Sequence, residues 1–402
     1  MVRGDTGAVV SPSAKAVRAV RSALTAHGPL SRAELIERTG LARSTVARTV
    51  QTLLDHGELR ETEPRSTAGR GRPPALVTFA GDVEIVGFLG LSHSELRAVV
   101  LTHEGEVVAE RRTPFDSLSR ESDPISVGAG LLDEAVADLG GGYAAEVSAI
   151  AFGMPGAYVP GIGLTGASEL EEQVATIVGT GGLPDWMRGD PAVTLRERFG
   201  VPAVAENDAN LMALGEVHFG AGAGASGVLV VKLVDGVGAG LVINGRLFRG
   251  AAGMAGEIAH VSVAEDGPPC LCGRRGCLAA VLATTALTAP GTLRDAPARL
   301  GDVFARAAFG DSNVLADLLT SVRYLGRVIG DLCVWLNPDA IVLAGLDEVV
   351  GARVIASLAG EIEARAGRLV GESTTLALGA LGPDADVMGG FVLLRGLLAS
   401  RA

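Results

Sequence analysis

Cysteine is scarce in this sequence, because only four of its 402 residues are cysteines. Four thiols cannot form the disulfide framework that stabilises many small secreted proteins. Their distribution is uneven, since Cys270, Cys272 and Cys277 lie within eight residues and only Cys333 stands apart. The sequence therefore excludes a disulfide-rich scaffold and indicates a local function for three of its thiols.

Long apolar segments are also missing. No stretch reaches the roughly 18 unbroken apolar residues that a membrane-spanning helix needs. The first residues lack the basic start, apolar core and small-residue cleavage site of a signal peptide. We therefore expect a soluble, cytoplasmic protein without a membrane partner. Its length and its hydrophobic content of 48% allow two or three domains, at about 100–200 residues each.

Lysine is nearly absent, with Lys15 and Lys232 as its only occurrences, so arginine supplies most of the positive charge. The net charge of −12 is unevenly distributed. Residues 1–80 hold twelve Arg or Lys against seven Asp or Glu, which gives +5 there and leaves −17 on the rest. A basic segment on an acidic body favours binding of that segment to a polyanion such as DNA. The alternative is that arginine is simply the usual cation of this protein, and that the basic segment does not bind DNA.

The basic segment has the pattern of a helix-turn-helix. Apolar residues at helical spacing predict a first helix over residues 14–26. In "SRAELIERTG", Ser31 is a candidate N-cap, Glu34 completes a capping box and Gly40 ends the short second helix. A third helix is predicted from about residue 42 to residue 56. The polar residues near its start are Arg43, Ser44, Thr45 and Arg48. Such a helix start suits base and phosphate contacts in the major groove.

Two short strands around a basic loop follow the third helix. The strands are predicted at residues 59–63 and 75–79, and the loop between them carries Arg70 and Arg72 without an acidic residue. This arrangement is typical of a winged helix-turn-helix, whose wing can reach phosphates or a narrow minor groove. The alternative is a three-helix protein-docking module with a solvated basic loop. Because helix order, polar helix start and basic wing agree, we predict DNA binding by residues 1–80.

Residues 82–402 have the pattern of an α/β domain, with strands and helices that alternate in two halves. In "VPAVAENDANLMALGEVHFG" a strand runs into a helix, with Asp208 at the junction. Open α/β sheets bind ligands at the carboxyl ends of their strands, where an aspartate can bind a hydroxyl group or accept its proton. A helix N-cap suits the same position. The glycines of "DGVGAG", residues 236–240, can either cradle phosphate or sugar oxygens or form a tight turn.

The cysteine-rich segment combines one imidazole with three thiols. The candidate ligands are His260, Cys270, Cys272 and Cys277. This donor set suits a closed, tetrahedral, structural Zn²⁺ site. Arg274 and Arg275 lie between the thiols and would favour their anionic forms. Buried free thiols or a redox pair are the alternatives, but the scarcity of cysteine elsewhere favours zinc.

Six segments of the chain closely resemble the ROK family of repressors, open reading frames and kinases. The segments are "SRAELIERTGLARSTVARTV", "GRPPALVTF", "GMPG", "ENDANLMALGE", "DGVGAGLVINGRLFRGAAGMAGEIAH" and "CLCGRRGC". The resemblance covers nearly the whole chain. It implies an α/β protein with an N-terminal winged helix-turn-helix, followed by a two-lobed, actin-like and hexokinase-like ROK domain. Members with that N-terminal domain are similar to the xylose and N-acetylglucosamine repressors, which respond to sugars and are usually dimers or tetramers. Members without it are mostly sugar kinases.

The resemblance implies roles for individual residues. The residues that match sugar contacts of the family are Asn207, Asp208, Glu257 and His260. Asp208 also matches the catalytic base of the kinases. His260 also matches a zinc ligand, together with Cys270, Cys272 and Cys277.

Three positions depart from the kinase pattern. Phe88 stands where kinases of the family place the aspartate that serves the metal-bound phosphates, and a phenyl ring cannot balance their charge. Ala344 precedes Gly345 where an adenosine-side Gly-Gly is expected. Ala279 replaces a glutamate that binds a sugar hydroxyl, and a buried hydroxyl without a partner costs about 1–3 kcal/mol.

We therefore predict a DNA-binding regulator, acting as a repressor, with a kinase-like domain that senses a sugar or related metabolite but does not phosphorylate it. Asp208 would then be a vestigial base. The third helix would enter the major groove, and Arg70 and Arg72 of the wing would reach the minor groove or the backbone. A homodimer or homotetramer would bind an inverted-repeat operator. Two alternatives remain: an active sugar kinase with a DNA-binding domain, and a regulator that has lost sugar sensing.

Overall fold

A computed structural model describes the chain over residues 13–62, 75–81, 83–117, 119, 121–139, 142–165, 183–234, 236–282, 306–307 and 309–400. The chain divides into two compact units. The first is drawn from residues 1–86, 99–111 and 132–148, and the second from residues 87–98, 112–131 and 149–402. The first unit thus includes the predicted DNA-binding segment together with two segments from later in the chain.

The helices of the described residues are α1 Ala14–His27, α2 Arg32–Thr39, α3 Arg43–Asp55, α4 Pro124–Ala137, α5 Pro191–Phe199, α6 Asp208–Phe219, α7 Ser312–Leu336, α8 Glu348–Ala366, α9 Arg368–Ser373 and α10 Ala385–Ala399. Short 3₁₀ turns lie at Asp185–Arg188, Ile258–His260 and Gly382–Asp384. Among these helices none is both long enough and apolar enough to cross a membrane.

The strands of the described residues are β1 Leu30–Ser31, β2 Leu59–Thr62, β3 Leu76–Phe79, β4 Ile85–Leu91, β5 Glu95–Thr102, β6 Val107–Pro114, β7 Ile150–Met154, β8 Tyr158–Val159, β9 Gly163–Leu164, β10 Ala203–Asn207, β11 Gly227–Leu233, β12 Val237–Ile243, β13 Arg246–Leu247, β14 Ala340–Ala344 and β15 Thr375–Leu378.

Local capping signals define the helices of the first unit, as the sequence predicts. Ser31 accepts a hydrogen bond from the backbone N–H of Glu34, whose carboxylate accepts one in return from the N–H of Ser31. Helix α2 ends at Gly40 in the left-handed conformation, with φ of 66°. The predicted capping box and C-terminal glycine are therefore confirmed. Helix α3 begins after Ala42 without a side-chain cap.

Three helices and a small antiparallel sheet share one core in the first unit. The sheet has the order β1-β3-β2, so the two predicted strands of the wing pair with each other, with Leu59 opposite Phe79. Val20, Leu35 and Val50, one from each helix, are fully buried in this core. The three-helix arrangement followed by a β-hairpin is the predicted winged helix-turn-helix.

A five-stranded sheet in the order β10-β7-β4-β5-β6 places two strand ends side by side. Strands β10 and β7 are parallel, and Asn207 at the end of β10 lies opposite Met154 at the end of β7. Strand β4 pairs in parallel with the other edge of β7. The junction before Asp208 and the loop after Met154 therefore meet at one edge of the sheet, where α/β folds bind ligands.

The second five-stranded sheet has the order β13-β12-β11-β14-β15. Strands β11 and β12 form a hairpin, while β14 and β15 continue in parallel with β11. Helices α7 and α8 cover one face in a single apolar cluster, and helices α6 and α10 share a cluster with the other face. This layering brings Lys232 of β11 beside Ala344 of β14.

Candidate functional site

Helix α3 separates its apolar and polar residues as a DNA-reading helix requires. Val46, Val50 and Leu53 are buried in the core of the first unit. The predicted contact residues Arg43, Ser44 and Arg48 are exposed, and Thr45 is half-buried. Neither arginine forms an ion pair with another residue that the structure describes.

The uncapped start of α3 adds a second property. Ala42 offers no side-chain acceptor, so the first backbone N–H groups of the helix can bind a phosphate oxygen. The basic wing cannot be compared with its prediction, since Arg70 and Arg72 lie outside the described residues.

Asn207 caps helix α6 and also holds the neighbouring loop. Its side-chain oxygen accepts a hydrogen bond from the N–H of Asn210 at 3.0 Å. Its amide donates to the carbonyl oxygen of Gly156 at 3.0 Å. Because Asn207 is the N-cap, the alternative that Asp208 serves as the N-cap is wrong. Asp208 is the first residue of the helix, and its carboxylate is available for other partners.

The partner of Asp208 is Lys232, which sequence reasoning missed. The Lys232 ammonium group forms an ion pair with Oδ2 of Asp208. The two side chains are 15% and 14% exposed, so the pair is largely shielded from water. The sequence does contain one indication that Lys232 has a buried partner, because it lies within the apolar strand "GVLVVKLV" of a chain with only two lysines. Lys232 therefore binds the Asp208 carboxylate, the group for which the resemblance implies contact with a sugar hydroxyl.

Glu206, for which no role was predicted, lies at the same junction of strand and helix. Its carboxylate is fully buried and accepts hydrogen bonds from the N–H of Asn207 and the side-chain amide of Asn210, each at 2.9 Å. Arg249 donates to its other oxygen at 2.7 Å. Glu206 therefore holds the junction between strand β10 and helix α6 in place. Arg249 balances the charge of its carboxylate.

Glu257 lies within electrostatic reach of Asp208, and His260 lies beside Glu257. Burial, assisted by the negative charge of Asp208, raises the pKa of Glu257 to about 7. Its carboxylate oxygen Oε2 lies 3.9 Å from Nε2 of His260. A close backbone approach places this segment: Gly256 has φ of 93°, and a Cβ atom there would lie 2.1 Å from the carbonyl oxygen of Ala239. At neutral pH Glu257 can therefore donate as well as accept a hydrogen bond.

Two glycines of strand β12 serve helix packing. A Cβ atom at Gly240 would lie 2.6 Å from Cβ of Ala213, and one at Gly238 would lie 3.2 Å from Cβ of Ala209. Both contacts are with helix α6. These two glycines therefore let strand β12 lie directly against the helix that begins at Asp208.

Phe88 is the residue that the resemblance aligns with an aspartate of the family kinases. Its side chain is fully buried, and the guanidinium carbon of Arg97 lies 5.7 Å from the centre of its ring. Three glycines make room for the ring. Cβ atoms at Gly90, Gly153 and Gly390 would lie 3.0, 3.1 and 2.6 Å from its carbon atoms. The ring is therefore an integral part of the packing.

Arg97 joins Phe88 to a second charged pair, with Asp386. Burial raises the pKa of Asp386, Arg97 opposes this increase, and the charge of Asp208 adds to it. Two cation–carboxylate pairs, Arg97–Asp386 and Lys232–Asp208, thus lie within electrostatic reach of one another. No catalytic role was predicted for Arg97, Lys232 or Asp386.

The predicted metal ligands converge. The donor atoms of His260, Cys270, Cys272 and Cys277 all lie within 4.8 Å of one another. Sγ of Cys270 is 3.5 Å from Nδ1 of His260, and Sγ of Cys272 is 3.5 Å from Sγ of Cys277. Donors about 2.0–2.3 Å from a tetrahedral zinc ion would show separations close to these. The residues therefore fit such an ion.

The loop around the cluster is tightly constrained. Gly276 has φ of 63°, and a Cβ atom there would lie 1.5 Å from the carbonyl oxygen of Ala264. Its own carbonyl accepts from the N–H of Val263 at 2.8 Å. Only glycine fits this position, which sets the direction of the following Cys277.

The thiols of the cluster differ in the direction of their pKa shifts. Burial alone would raise the pKa of Cys272, but backbone and side-chain hydrogen bonds from Arg274 outweigh it and lower that pKa. Burial, followed by the charge of Arg274, lowers the pKa of His260. Burial raises the pKa values of Cys270 and Cys277, so among the three thiols only Cys272 has a lowered pKa. Of the two arginines predicted to act here, Arg274 is the one that bonds Cys272.

Two protein-family models match parts of this chain. A protein-family model described as "ROK family" matches residues 91–396, and one described as "IclR helix-turn-helix domain" matches residues 15–63. The xylose repressor of Bacillus subtilis (strain 168) is 26% identical over 363 residues, which cover 90% of each chain. A glucokinase of Halalkalibacterium halodurans is 36% identical over 217 residues, which cover 50% of this chain and 66% of the other.

The solved structure of a ROK family transcriptional regulator, a homolog of E. coli MLC protein, superposes with a TM-score of 0.60. It is 22% identical and covers 96% of both chains. The two proteins therefore share a fold.

Phe88 provides a direct test of the packing. Phe88→Ala should lower the free energy of unfolding by about 3–5 kcal/mol, because glycines at three surrounding positions cannot fill the cavity. Urea denaturation followed by circular dichroism measures this loss. The matched control is Phe248→Ala, since Phe248 is 50% exposed and should lose far less. Equal losses in the two variants would contradict the packing role of Phe88.

Proposed function

Because this chain belongs to the ROK family, we propose that it is a DNA-binding transcriptional regulator, acting as a repressor in the cytoplasm, whose kinase-like domain no longer phosphorylates sugars. Residues 1–80 form the winged helix-turn-helix, and residues 82–402 form the effector-binding and oligomerisation domain. The observation that carries the proposal is the joint presence of an IclR-type helix-turn-helix match and a buried Phe88 in the kinase-like body. The xylose repressor match over 90% of both chains supports the same function.

The DNA contacts follow from the exposed side of α3. Arg43, Ser44, Thr45 and Arg48 would contact bases and phosphates in the major groove. Arg70 and Arg72 would extend the contacts to the minor groove or the backbone. A homodimer or homotetramer would place two such helices on an inverted-repeat operator of double-stranded DNA.

Loss of kinase activity follows from three side chains. The resemblance places Phe88 at the position of the aspartate that serves metal-bound phosphates, and neither its ring nor the Arg97 guanidinium beside the ring is a carboxylate. Lys232 binds the carboxylate of Asp208, so the vestigial base would have to exchange an ammonium partner for a sugar hydroxyl. General-base catalysis needs that carboxylate within hydrogen-bonding distance of the attacking hydroxyl.

Sugar sensing is proposed for the group of residues Asn207, Asp208, Glu257 and His260. Asn207 and Asp208 lie at the strand end, and Glu257 can donate a hydrogen bond as well as accept one. A rival proposal, a regulator without sugar sensing, is favoured by Ala279 and by the pairing of Asp208 with Lys232. A ligand switch requires an effector that binds one DNA-binding state more tightly than the other.

Zinc is proposed as a structural cofactor, held by His260, Cys270, Cys272 and Cys277. A closed set of four protein ligands leaves no position for a reacting water molecule, so the ion would stabilise rather than catalyse. It would hold His260, and through the 3₁₀ turn Ile258–His260 the adjacent Glu257, in place.

DNA binding can be tested with a sequence enriched by the wild-type protein from a random pool of DNA. Arg48→Ala should weaken binding and reduce the slope of log affinity against log salt concentration by about 1, because one phosphate contact is lost. Fluorescence anisotropy over a salt series measures both quantities. Arg353→Ala is the matched control, since Arg353 is exposed on α8. Failure of the wild-type protein to enrich any sequence would contradict DNA binding.

Sugar sensing can be tested on the same complex with a panel of sugars and sugar phosphates. One compound should weaken operator binding by about tenfold or more, a typical allosteric coupling. Asn207→Ser should abolish this response, because it removes the amide and retains an oxygen that can cap α6. Asn313→Ala, at an exposed position of α7, should leave it unchanged.

The two rival functions give different results in that experiment. Binding that no compound alters would favour the regulator without sugar sensing. A coupled assay with ATP and the same panel should show no turnover. Turnover that Asp208→Ala abolishes would establish an active kinase instead.

The zinc proposal predicts one equivalent of zinc per chain in the purified protein. Cys277→Ser should lose the metal on dialysis and lower the melting temperature, because thiolate ligation contributes to folding. Metal analysis and calorimetry measure the two effects. Cys333→Ser should retain full zinc, since Cys333 lies on α7 outside the cluster. Retention of zinc by Cys277→Ser would contradict this ligand set.

A further inference from the structure

Arg21 is an unusual residue for its place in helix α1. Its side chain is only 4% exposed, whereas its neighbour Val20 lies in the apolar core of the three-helix region. A buried guanidinium group is strongly unfavourable unless opposite charges meet it. Its burial therefore requires a structural reason.

Two carboxylates from different parts of the chain bind Arg21. One guanidinium nitrogen contacts Glu58, in the turn between α3 and β2, and another contacts Glu106, in the turn between β5 and β6. We call these three residues the Arg21 network. The carboxylates are 12% and 17% exposed, so all three charges are largely removed from water.

The turn that carries Glu106 is itself well defined. The N–H of Thr102 donates to the carbonyl oxygen of Glu106 at 2.9 Å, and Gly105 has φ of 88°. Arg18, one helical turn before Arg21, donates to the carbonyl oxygen of Val107 at 3.1 Å. Helix α1 therefore contacts one rigid turn through two arginines.

A second contact ties the wing strand β3 to the segment around Gly142. A Cβ atom at Gly142 would lie 2.3 Å from the ring of Phe79, the last residue of β3. The rings of Phe79 and Tyr143 are 6.2 Å apart. The N–H of Val83 donates to the carbonyl oxygen of Gly142 at 2.8 Å. Both ends of the helix-turn-helix, α1 and β3, are thus attached to later segments of the first unit.

Burial of the charges in the Arg21 network carries an energetic cost. Burial raises the pKa of Glu106, and the charge of Arg21 opposes this increase. One oxygen of Glu106 and Nε of Arg21 have no hydrogen-bond partner in the described part of the chain. An apolar contact of the same size would avoid these costs, so the ionic contact contributes orientation more than stability.

We propose that Arg21 is a positioning residue for operator recognition. By binding Glu58 and Glu106 together, it fixes the three-helix region to the β5–β6 turn and holds α3 at one angle. Two half-sites of an operator are then read only at the spacing that matches this angle. The proposal rests on the DNA binding proposed above.

The test uses Glu106→Gln. This substitution removes the ion pair between Arg21 and the β5–β6 turn, and it leaves the Arg21–Glu58 pair within the three-helix region intact. The matched control is Glu104→Gln, an exposed position in the same turn. The probes are the enriched operator, the same DNA with five base pairs inserted between half-sites, and a single half-site. Insertion rotates one half-site by about half a helical turn.

Wild-type protein should strongly prefer the enriched spacing. Glu106→Gln should reduce this preference by about tenfold or more, the value of a lost charge-assisted hydrogen bond, while its affinity for the single half-site stays within about twofold. Glu104→Gln should behave like wild type. An unchanged preference in Glu106→Gln, or an equal loss on the single half-site, would overturn the positioning role.

Hydrogen exchange separates this proposal from DNA binding itself. Glu106→Gln, unlike Glu104→Gln, should accelerate amide exchange in residues 16–24 of α1, because loss of the ionic contact favours local opening. Faster exchange in Glu106→Gln would support the Arg21 network even if the wild-type protein enriched no DNA. Failure to enrich DNA would count against the proposed function and not against the network. Unchanged exchange in Glu106→Gln would overturn the network.

Discussion

A charged side chain can be placed away from water only where an opposite charge meets it, and this constraint governs both functional regions of the protein. In the kinase-like body, Lys232 meets Asp208, Arg97 meets Asp386 and Arg249 meets Glu206. In the DNA-binding unit, Arg21 meets two carboxylates. Each cation comes from a different element of structure than its partner. The pairs therefore fix strand ends, helix starts and turns whose positions backbone hydrogen bonds alone would not determine.

Local signals made much of the fold predictable. The capping box at Ser31, the left-handed Gly40 and the spacing of the apolar residues act within one or two helical turns, so the sequence displays them directly. The same holds for the cluster of His260 with Cys270, Cys272 and Cys277, because its three cysteines lie within eight residues and the histidine is ten residues before the first of them. Proximity in the chain made these side chains recognisable as a group before their geometry was known.

Long-range pairs were not predictable in the same way. Arg97 and Asp386 are 289 residues apart, and Lys232 and Asp208 are 24 apart on different elements. No periodicity or motif joins such residues, so their partners emerge only from the topology of the sheets. Asp208 illustrates the consequence. Its place at a strand end was read correctly, but its role as a cap belongs to Asn207, and its actual partner was not predicted.

Phe88 and its glycines bear on how easily the function of this body can change. The phenyl ring occupies space bordered by Gly90, Gly153 and Gly390, residues of three separate elements. A single substitution to aspartate would leave much of that space empty and would put a carboxylate beside Arg97, where Asp386 already binds. Several coordinated changes would be needed to place a carboxylate there without leaving a cavity. The packing therefore links position 88 to its surroundings: a smaller side chain there would destabilise the protein unless the residues around the ring changed with it.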